Sequence, residues 1–170
     1  MNVADLETYF DYSYWANRKL FAVISQLTPA EFTQSVAGSY GSIRNTLVHM
    51  LSAERGWLDR CGGPPRGPKL NPNDYPTPDS VISAWAPVET CMREFLADLS
   101  DEDLDRNIEF AIDGVISKRS MPLGELLHHT ATHCVHHRGQ VALLLRAVGK
   151  VPGNFDILFY YAEKHVAPAV

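Results

Sequence analysis

One stretch decides the fold of this chain: residues 121–149 read MPLGELLHHTATHCVHHRGQVALLLRAVG. Apolar residues recur along it every three or four positions, which is the spacing of a helix that buries one face. Pro122 suits the first turn of a helix, and Gly149 suits the position just after its last turn. Five of the seven histidines of the chain lie within this stretch. It therefore predicts a long amphipathic helix that carries a cluster of imidazoles.

Three other segments have the same helical spacing and complete a set of four. They cover residues 4–27, 42–61 and 77–99. Pro87 lies inside the last of them, where a proline is expected to kink or divide the helix. A short final helix is predicted over residues 156–164.

The connections between these helices contain turn residues and one short pair of strands. Residues 62–78 hold six prolines and three glycines, so this segment is predicted to be a long irregular crossover at one end of the bundle. Residues 108–112 alternate between apolar and polar or small side chains before Asp113-Gly114, which indicates a β-hairpin. The predicted fold class is therefore all-α: a four-helix bundle with a long crossover loop and a small β-hairpin before the last long helix.

Length and composition place the chain among globular proteins. It has 170 residues, of which 45% are hydrophobic and 21% charged, and this predicts a single domain over residues 1–170. The formal net charge is -5 and no basic run is present, so nucleic-acid binding is not expected. No segment approaches the roughly 18 apolar residues of a membrane span, and the first residues do not have the pattern of a signal peptide. The three cysteines are too scattered for a disulfide framework or a CxxC metal site, so a reducing, cytoplasmic location is expected.

The histidines of the last long helix differ in the face on which they lie. At about 100° per residue, His133 and His137 fall one turn apart on the same stripe as the apolar residues. His128 falls on the opposite face, and His129 and His136 lie together on a flank outside the stripe. Two hydrogen-bonded core histidines and a pair of metal ligands both fit the i, i+4 spacing, and spacing alone leaves the choice open.

A third ligand would favour a metal site, and the residues alone leave several candidates. Cys134 takes the place of the glutamate in the HExxH motif, so a zinc-protease site is excluded. His49 lies in the second long helix beside small residues, while His165 lies close to the end of the sequence. Glu54 projects near the centre of an apolar stripe, where it is a candidate ligand, a carboxylate that orients a ligand, or a partner for a buried arginine such as Arg18. Of these three roles for Glu54, a structural ion pair is favoured.

Several segments, in order along essentially the whole chain, resemble the DinB/YfiT-like proteins. They are Tyr14-Trp15-Ala16-Asn17, residues 42–49 (SIRNTLVH) with Ala53-Glu54 and Trp57-Leu58, residues 99–104 (LSDEDL), residues 133–140 (HCVHHRGQ), and Pro152 with residues 156–160 (DILFY). The resemblance implies a four-helix bundle, often dimeric, that holds one divalent metal ion through three histidines. Carried over position by position, these ligands are His49, His133 and His137. The resemblance is what selects His49 over Glu54 or His129.

The chemistry implied by such a site is that of an open metal centre. Three imidazoles leave positions on the ion for water or substrate, and they suit zinc or nickel, with iron also compatible. Members of this family are similar to thiol-dependent transferases and isomerases. The resemblance therefore implies a metal-dependent enzyme, of the S-transferase detoxification type or hydrolase-like, that activates a low-molecular-weight thiol or water against a small-molecule electrophile. A homodimer is expected, and the alternative function is a non-catalytic metal-binding protein of the stress or DNA-damage response.

No separate general base stands out in the sequence. Asn17, Glu54, Arg138 and Gln140 are candidates for orienting a metal ligand or the substrate. For Arg138 and Gln140, a role in helix packing or in capping a neighbouring loop is equally compatible with the sequence. Cys134 is expected to be a small buried residue.

Overall fold

Four long helices form the body of the molecule. The computed structural model describes residues 1–65, 67–112 and 114–165. The long helices are α1 (Val3–Ile24), α3 (Ile43–Cys61), α4 (Pro78–Ala97) and α5 (Leu123–Ala147), and the shorter elements are α2 (Pro29–Thr33), α6 (Ile157–Lys164), β1 (Asn107–Ile112) and β2 (Ile116–Pro122). The predicted all-α bundle with a small hairpin before the last long helix is confirmed.

Capping residues in the sequence set the ends of the long helices. Asn2 and Ser42 accept hydrogen bonds from backbone N–H groups in the first turns of α1 and α3. Thr77 does the same for α4, where Pro78 takes the first helical position. Gly62 ends α3 in the left-handed conformation, with a φ of 106°. These contacts satisfy backbone groups that a helix end leaves free, so the boundaries follow from local chemistry.

α4 runs as one helix through Pro87, so of the two predicted outcomes, a kink or a division, the division does not occur. Pro87 lies on the exposed side of α4, and a proline inside a helix costs about 3 kcal/mol. The opposite side buries a row of side chains against the core: Val81, Trp85, Val88, Met92 and Leu96. Burial of large apolar side chains contributes about 1.5–3 kcal/mol each, which outweighs the cost of the proline.

α3 and α5 pack against each other across the bundle, and this pairing positions the functional site. Leu47 and Leu51 of α3 are fully buried, as are Val141 and Leu145 of α5. α1 and α4 close the remaining sides of the core, and α6 packs on α1 through Tyr160. Side chains on the facing sides of α3 and α5 therefore meet, although they lie far apart in sequence.

The hairpin covers one end of this core. β1 and β2 pair antiparallel, with Ile108 opposite Met121. Ile108 and Phe110 of β1 point into the core and are buried, while β2 is largely exposed. Asp113, half of the predicted Asp-Gly turn, lies outside the described residues, and Gly114 has a φ of 71°.

The crossover between α3 and α4 is irregular, as predicted. The described part of this crossover contains a 3-10 turn at Pro72–Asp74, and another 3-10 turn at Asp101–Asp105 precedes β1. Within the ranges that the structure describes, no helix combines the length and the apolarity that a membrane span requires.

Candidate metal centre

Three histidines from two helices meet inside the bundle. His49 comes from α3, while His133 and His137 lie one turn apart on α5. The distance between Nε2 atoms is 3.0 Å for His133 and His137. The Nε2 atom of His49 lies 3.2 Å from that of His137 and 3.3 Å from that of His133. The structure therefore brings together the three side chains that the family resemblance selects.

The remaining histidines are not among the three that converge, but His129 and His136 flank them, with ring centroids 5.6 Å from His133 and 4.8 Å from His137 respectively. His128, His129 and His136 are exposed, in keeping with their positions outside the apolar stripe of α5. His165 is exposed just after α6. Among the residues that the structure describes, no carboxylate or thiol joins the three imidazoles.

The spacing of the three Nε2 atoms fits a single metal ion. Imidazole nitrogens bind zinc at about 2.0–2.1 Å, so two such ligands lie about 3.0 Å apart at a right angle and about 3.4 Å apart at the tetrahedral angle. The observed separations of 3.0, 3.2 and 3.3 Å fall within this interval. One cation at the centre of the cluster would lie within bonding distance of all three Nε2 atoms.

Gln140 fixes which nitrogen of His137 carries the proton. The side-chain oxygen of Gln140 accepts a hydrogen bond from His137 Nδ1 at 2.6 Å, so His137 Nε2 keeps a free lone pair. The same oxygen accepts a hydrogen bond from Ser39 Oγ at 2.7 Å. Gln140 therefore both orients an imidazole of the cluster and holds the loop before α3, so the two roles that the sequence left open occur together.

Burial keeps the three imidazoles neutral. Loss of solvent lowers the pKa of His49 to about 4 and that of His133 to about 3, and the charges of neighbouring imidazoles add to both shifts. Burial also lowers the pKa of His137, and the bond to Gln140 partly opposes this shift. Since a metal ion binds only the neutral ring, all three side chains are in the binding form at neutral pH.

Glu54 belongs to a second, closed polar cluster. Its buried carboxylate accepts hydrogen bonds from Tyr14 Oη at 2.5 Å and from Trp85 Nε1 at 3.0 Å. Burial raises the pKa of Glu54, and these two hydrogen bonds oppose the shift. Arg18, the example given of a buried arginine partner, lies instead on the exposed face of α1, while the charge of the buried Arg138 acts to lower the pKa of Glu54, against the effect of burial.

Arg138 and Cys134 are packing residues of the same region. Arg138 is buried and donates to Ser13 Oγ at 2.7 Å and to Asn17 Oδ1 at 3.2 Å, so it ties α5 to α1. Cys134 is buried as expected, with Sγ 4.0 Å from the carboxylate of Glu54. Burial raises the pKa of the Cys134 thiol to about 12, which keeps it protonated.

Tyr40 is a residue of the site that the sequence reasoning missed. Its ring stacks on that of His49 with centroids 4.0 Å apart, and its hydroxyl oxygen lies 3.0 Å from His49 Nε2. Burial raises the pKa of Tyr40 above its ordinary value. Gly38 and Gly41 have φ values of 100° and 81°, which turn the chain sharply on either side of the tyrosine. An aromatic residue held between two glycines just before a helix cap is the signal that could have revealed it.

A cleft opens beside His49, between α3 and the crossover. Its volume is about 270 Å³, and its lining includes Tyr40, His49, Asn45, Ser52 and Lys69. A larger cavity of about 360 Å³ lies at Leu58, Pro64, Val88 and their neighbours and contains none of the three histidines. The cleft beside His49 is therefore a place where a small molecule can reach this histidine of the cluster.

The arrangement can hold an ion and leave part of its coordination sphere free. Three neutral nitrogens converge from one side, and the cleft adjoins one of them. Structural zinc sites usually have four protein ligands, whereas catalytic sites keep a position for water or substrate. The cluster therefore has the ligand number of a catalytic metal site.

Comparisons with known proteins identify the family and agree with the fold. The sequence profile of the DinB family matches residues 1–166. A protein of Bacillus subtilis (strain 168), described as uncharacterized protein YizA, is 27% identical over 145 residues, which cover 85% of this chain and 88% of YizA. Protein DinB of the same bacterium is 22% identical over 158 residues, which cover 89% of this chain and 90% of that protein.

A solved structure has the same architecture. The crystal structure of a DinB-like protein from Bacillus cereus ATCC 10987 superposes with a TM-score of 0.70, and the match covers 90% of this chain and 97% of that one. The sequence identity of 23% makes this a likeness of fold. Since the family profile spans almost all of the sequence, the chain belongs to the DinB family.

Proposed function

We propose that this protein is a divalent-metal-dependent enzyme that activates a small thiol or water against an electrophilic substrate. The observation that carries the proposal is the convergence of His49, His133 and His137 at the spacing of ligands to one ion. Membership of the DinB family supports it independently. The reaction proposed forms a bond from the thiol sulfur or the water oxygen to the electrophilic carbon, as in an S-transferase of detoxification or a hydrolase. The S–H or O–H proton passes to solvent, and the leaving group of the electrophile departs with the electrons of its broken bond.

The three imidazoles would hold the ion, and nitrogen ligands of this kind suit zinc or nickel, with iron also compatible. When bound, the ion would supply Lewis-acid chemistry, which lowers the pKa of a thiol or of water so that the nucleophile forms near neutral pH. Gln140 holds the proton on His137 Nδ1 and so keeps Nε2 directed at the ion. The cleft beside His49 would bind the electrophile within reach of that nucleophile.

The first test is the metal content of the tag-free protein after purification and after dialysis against zinc or nickel. We expect about one ion per chain in the wild type and a large loss in His137→Ala. His128→Ala is the matched control, because His128 lies on the same helix but is exposed and outside the cluster. Equal metal content in all three proteins would contradict the ligand assignment.

The second test is metal-dependent turnover of an electrophile such as a halogenated arene, with and without a low-molecular-weight thiol. The proposal predicts consumption of the electrophile by the loaded wild type and by His128→Ala, and none by His137→Ala. A protein that binds the ion at the cluster but turns over no electrophile would favour the non-catalytic alternative, a metal-binding protein of the stress response.

A further inference from the structure

The loop before α3 is fixed in place on both sides of Tyr40. Ser39 Oγ lies 2.7 Å from the side-chain oxygen of Gln140 and 3.0 Å from Thr46 Oγ1. The backbone oxygen of Tyr40 accepts a hydrogen bond from Asn45 Nδ2 at 3.1 Å. Gln140 is also the residue that orients His137. The loop and the histidine cluster are therefore connected through one amide side chain.

The ring of Tyr40 places its hydroxyl over the edge of His49. The two rings are stacked, with 20° between their planes, and the hydroxyl oxygen lies 3.0 Å from His49 Nε2. Because the rings are nearly parallel, the hydroxyl lies above the plane of the imidazole, whereas the lone pair of Nε2 lies in that plane. The phenol therefore stands beside the point where the three nitrogens converge and does not replace any of them.

The cleft on this side of the cluster has a positive character. Lys69 is its charged lining residue, and Asn45 and Ser52 add neutral polar groups. A ligand that enters the cleft meets a hydroxyl donor at one end and an ammonium group on the wall, which favours a small anion.

We propose that Tyr40 donates a hydrogen bond to the exchangeable ligand of the metal ion, and that this ligand is a small anion or the anionic end of a substrate bound in the cleft. The inference rests on the proposed function only in requiring an ion at the three histidines. Tyr40 then binds the exchangeable ligand of the ion. Stacking on His49 holds the hydroxyl of Tyr40 above the plane of the imidazole, beside the position of that ligand.

The test is azide binding to the cobalt(II)-loaded protein, followed by the visible absorption of the ion. Tyr40→Phe keeps the ring on His49 and removes only the hydroxyl. A hydrogen bond to a charged group stabilises by an amount that corresponds to about 10-fold or more in affinity. We expect Tyr40→Phe to bind azide about 10-fold more weakly than the wild type, with cobalt affinity changed by less than about 2-fold. Tyr161→Phe, which removes an exposed hydroxyl on α6, is the matched control and should behave as the wild type.

Each other outcome overturns the proposal in a recognisable way. Equal azide affinity in Tyr40→Phe and wild type would show that the hydroxyl does not contact the exchangeable ligand. A loss of cobalt affinity in Tyr40→Phe of 10-fold or more would make the phenol a direct ligand of the ion. Cobalt binding without any azide binding would mean that no exchangeable position lies beside Tyr40. Failure of the wild type to bind cobalt would overturn the proposed function itself.

Discussion

Two polar clusters lie inside the same bundle, and they differ in how their polar atoms are satisfied. In the closed cluster, the carboxylate of Glu54 accepts hydrogen bonds from Tyr14 and Trp85. In the histidine cluster, three ring nitrogens face one another beside an open cleft. Acceptors that meet donors need nothing more, whereas three neutral ring nitrogens 3.0–3.3 Å apart offer one cation a shared site. The comparison therefore separates a polar cluster that stabilises the fold from a polar cluster that can bind a metal ion.

Removal of one cluster ligand gives the largest expected effect. His137→Ala should lower zinc affinity by at least about 100-fold, because two imidazoles hold a zinc ion far less tightly than three. Isothermal titration with a competing chelator measures this affinity. His128→Ala should leave it within about 2-fold of the wild type, since surface changes away from a site have little effect. Similar zinc affinities in His137→Ala and His128→Ala would contradict the conclusion that the histidine cluster binds the metal ion.

Disruption of the closed cluster should affect stability and not metal binding. Glu54→Ala leaves the hydroxyl of Tyr14 and the indole N–H of Trp85 buried without an acceptor, so the free energy of unfolding should fall by about 3 kcal/mol. Tyr14→Phe removes one hydrogen bond and should cost about 1 kcal/mol. Urea denaturation of the metal-free proteins measures both values. A loss of zinc affinity in Tyr14→Phe as large as that in His137→Ala would show that the two clusters work as one.

The sequence contained most of the fold and part of the site. Capping residues and helical spacing located the four long helices, because these signals act within a few residues. Of the two outcomes predicted at Pro87, a kink or a division of the helix, the division does not occur, because the burial of one face of α4 offsets the local cost of the proline. The third histidine came from the family resemblance, because the meeting of His49 with α5 depends on packing between distant helices. Tyr40 was missed for the same reason: its contact with His49 is made by a loop whose path depends on Ser39 and Gln140.

A change in the residue that orients His137 should have an intermediate effect on metal binding. Gln140→Ala removes the acceptor of His137 Nδ1–H and should lower zinc affinity by about 10-fold, the lower end for residues that orient a ligand. Gln34→Ala, an exposed glutamine far from α5 in sequence, is the control. The same titration gives both affinities, and an unchanged value for Gln140→Ala would show that the imidazole is held by packing alone.

The last prediction concerns the pH dependence of stability in the metal-free protein. The pKa is about 4 for folded His49 and about 3 for folded His133, below the ordinary value of about 6.5 that applies to the unfolded chain. The unfolded chain therefore binds protons first as the pH falls, so the stability is complete above pH about 7 and is lost progressively below about 6.5. His133→Leu should flatten the curve of unfolding free energy between pH about 6.5 and 4. An identical curve in wild type and variant would contradict the burial of a neutral imidazole.

The most direct test of the central claim is the zinc K-edge X-ray absorption spectrum of the loaded wild-type protein. If His49, His133 and His137 hold one ion, the spectrum will show three imidazole nitrogens at about 2.0–2.1 Å and no sulfur. In a His49→Ala variant that is loaded at excess zinc, the number of imidazole ligands fitted to the spectrum should decrease from three to two. A sulfur ligand at about 2.3 Å, or a spectrum that does not change in His49→Ala, would contradict the three-histidine site.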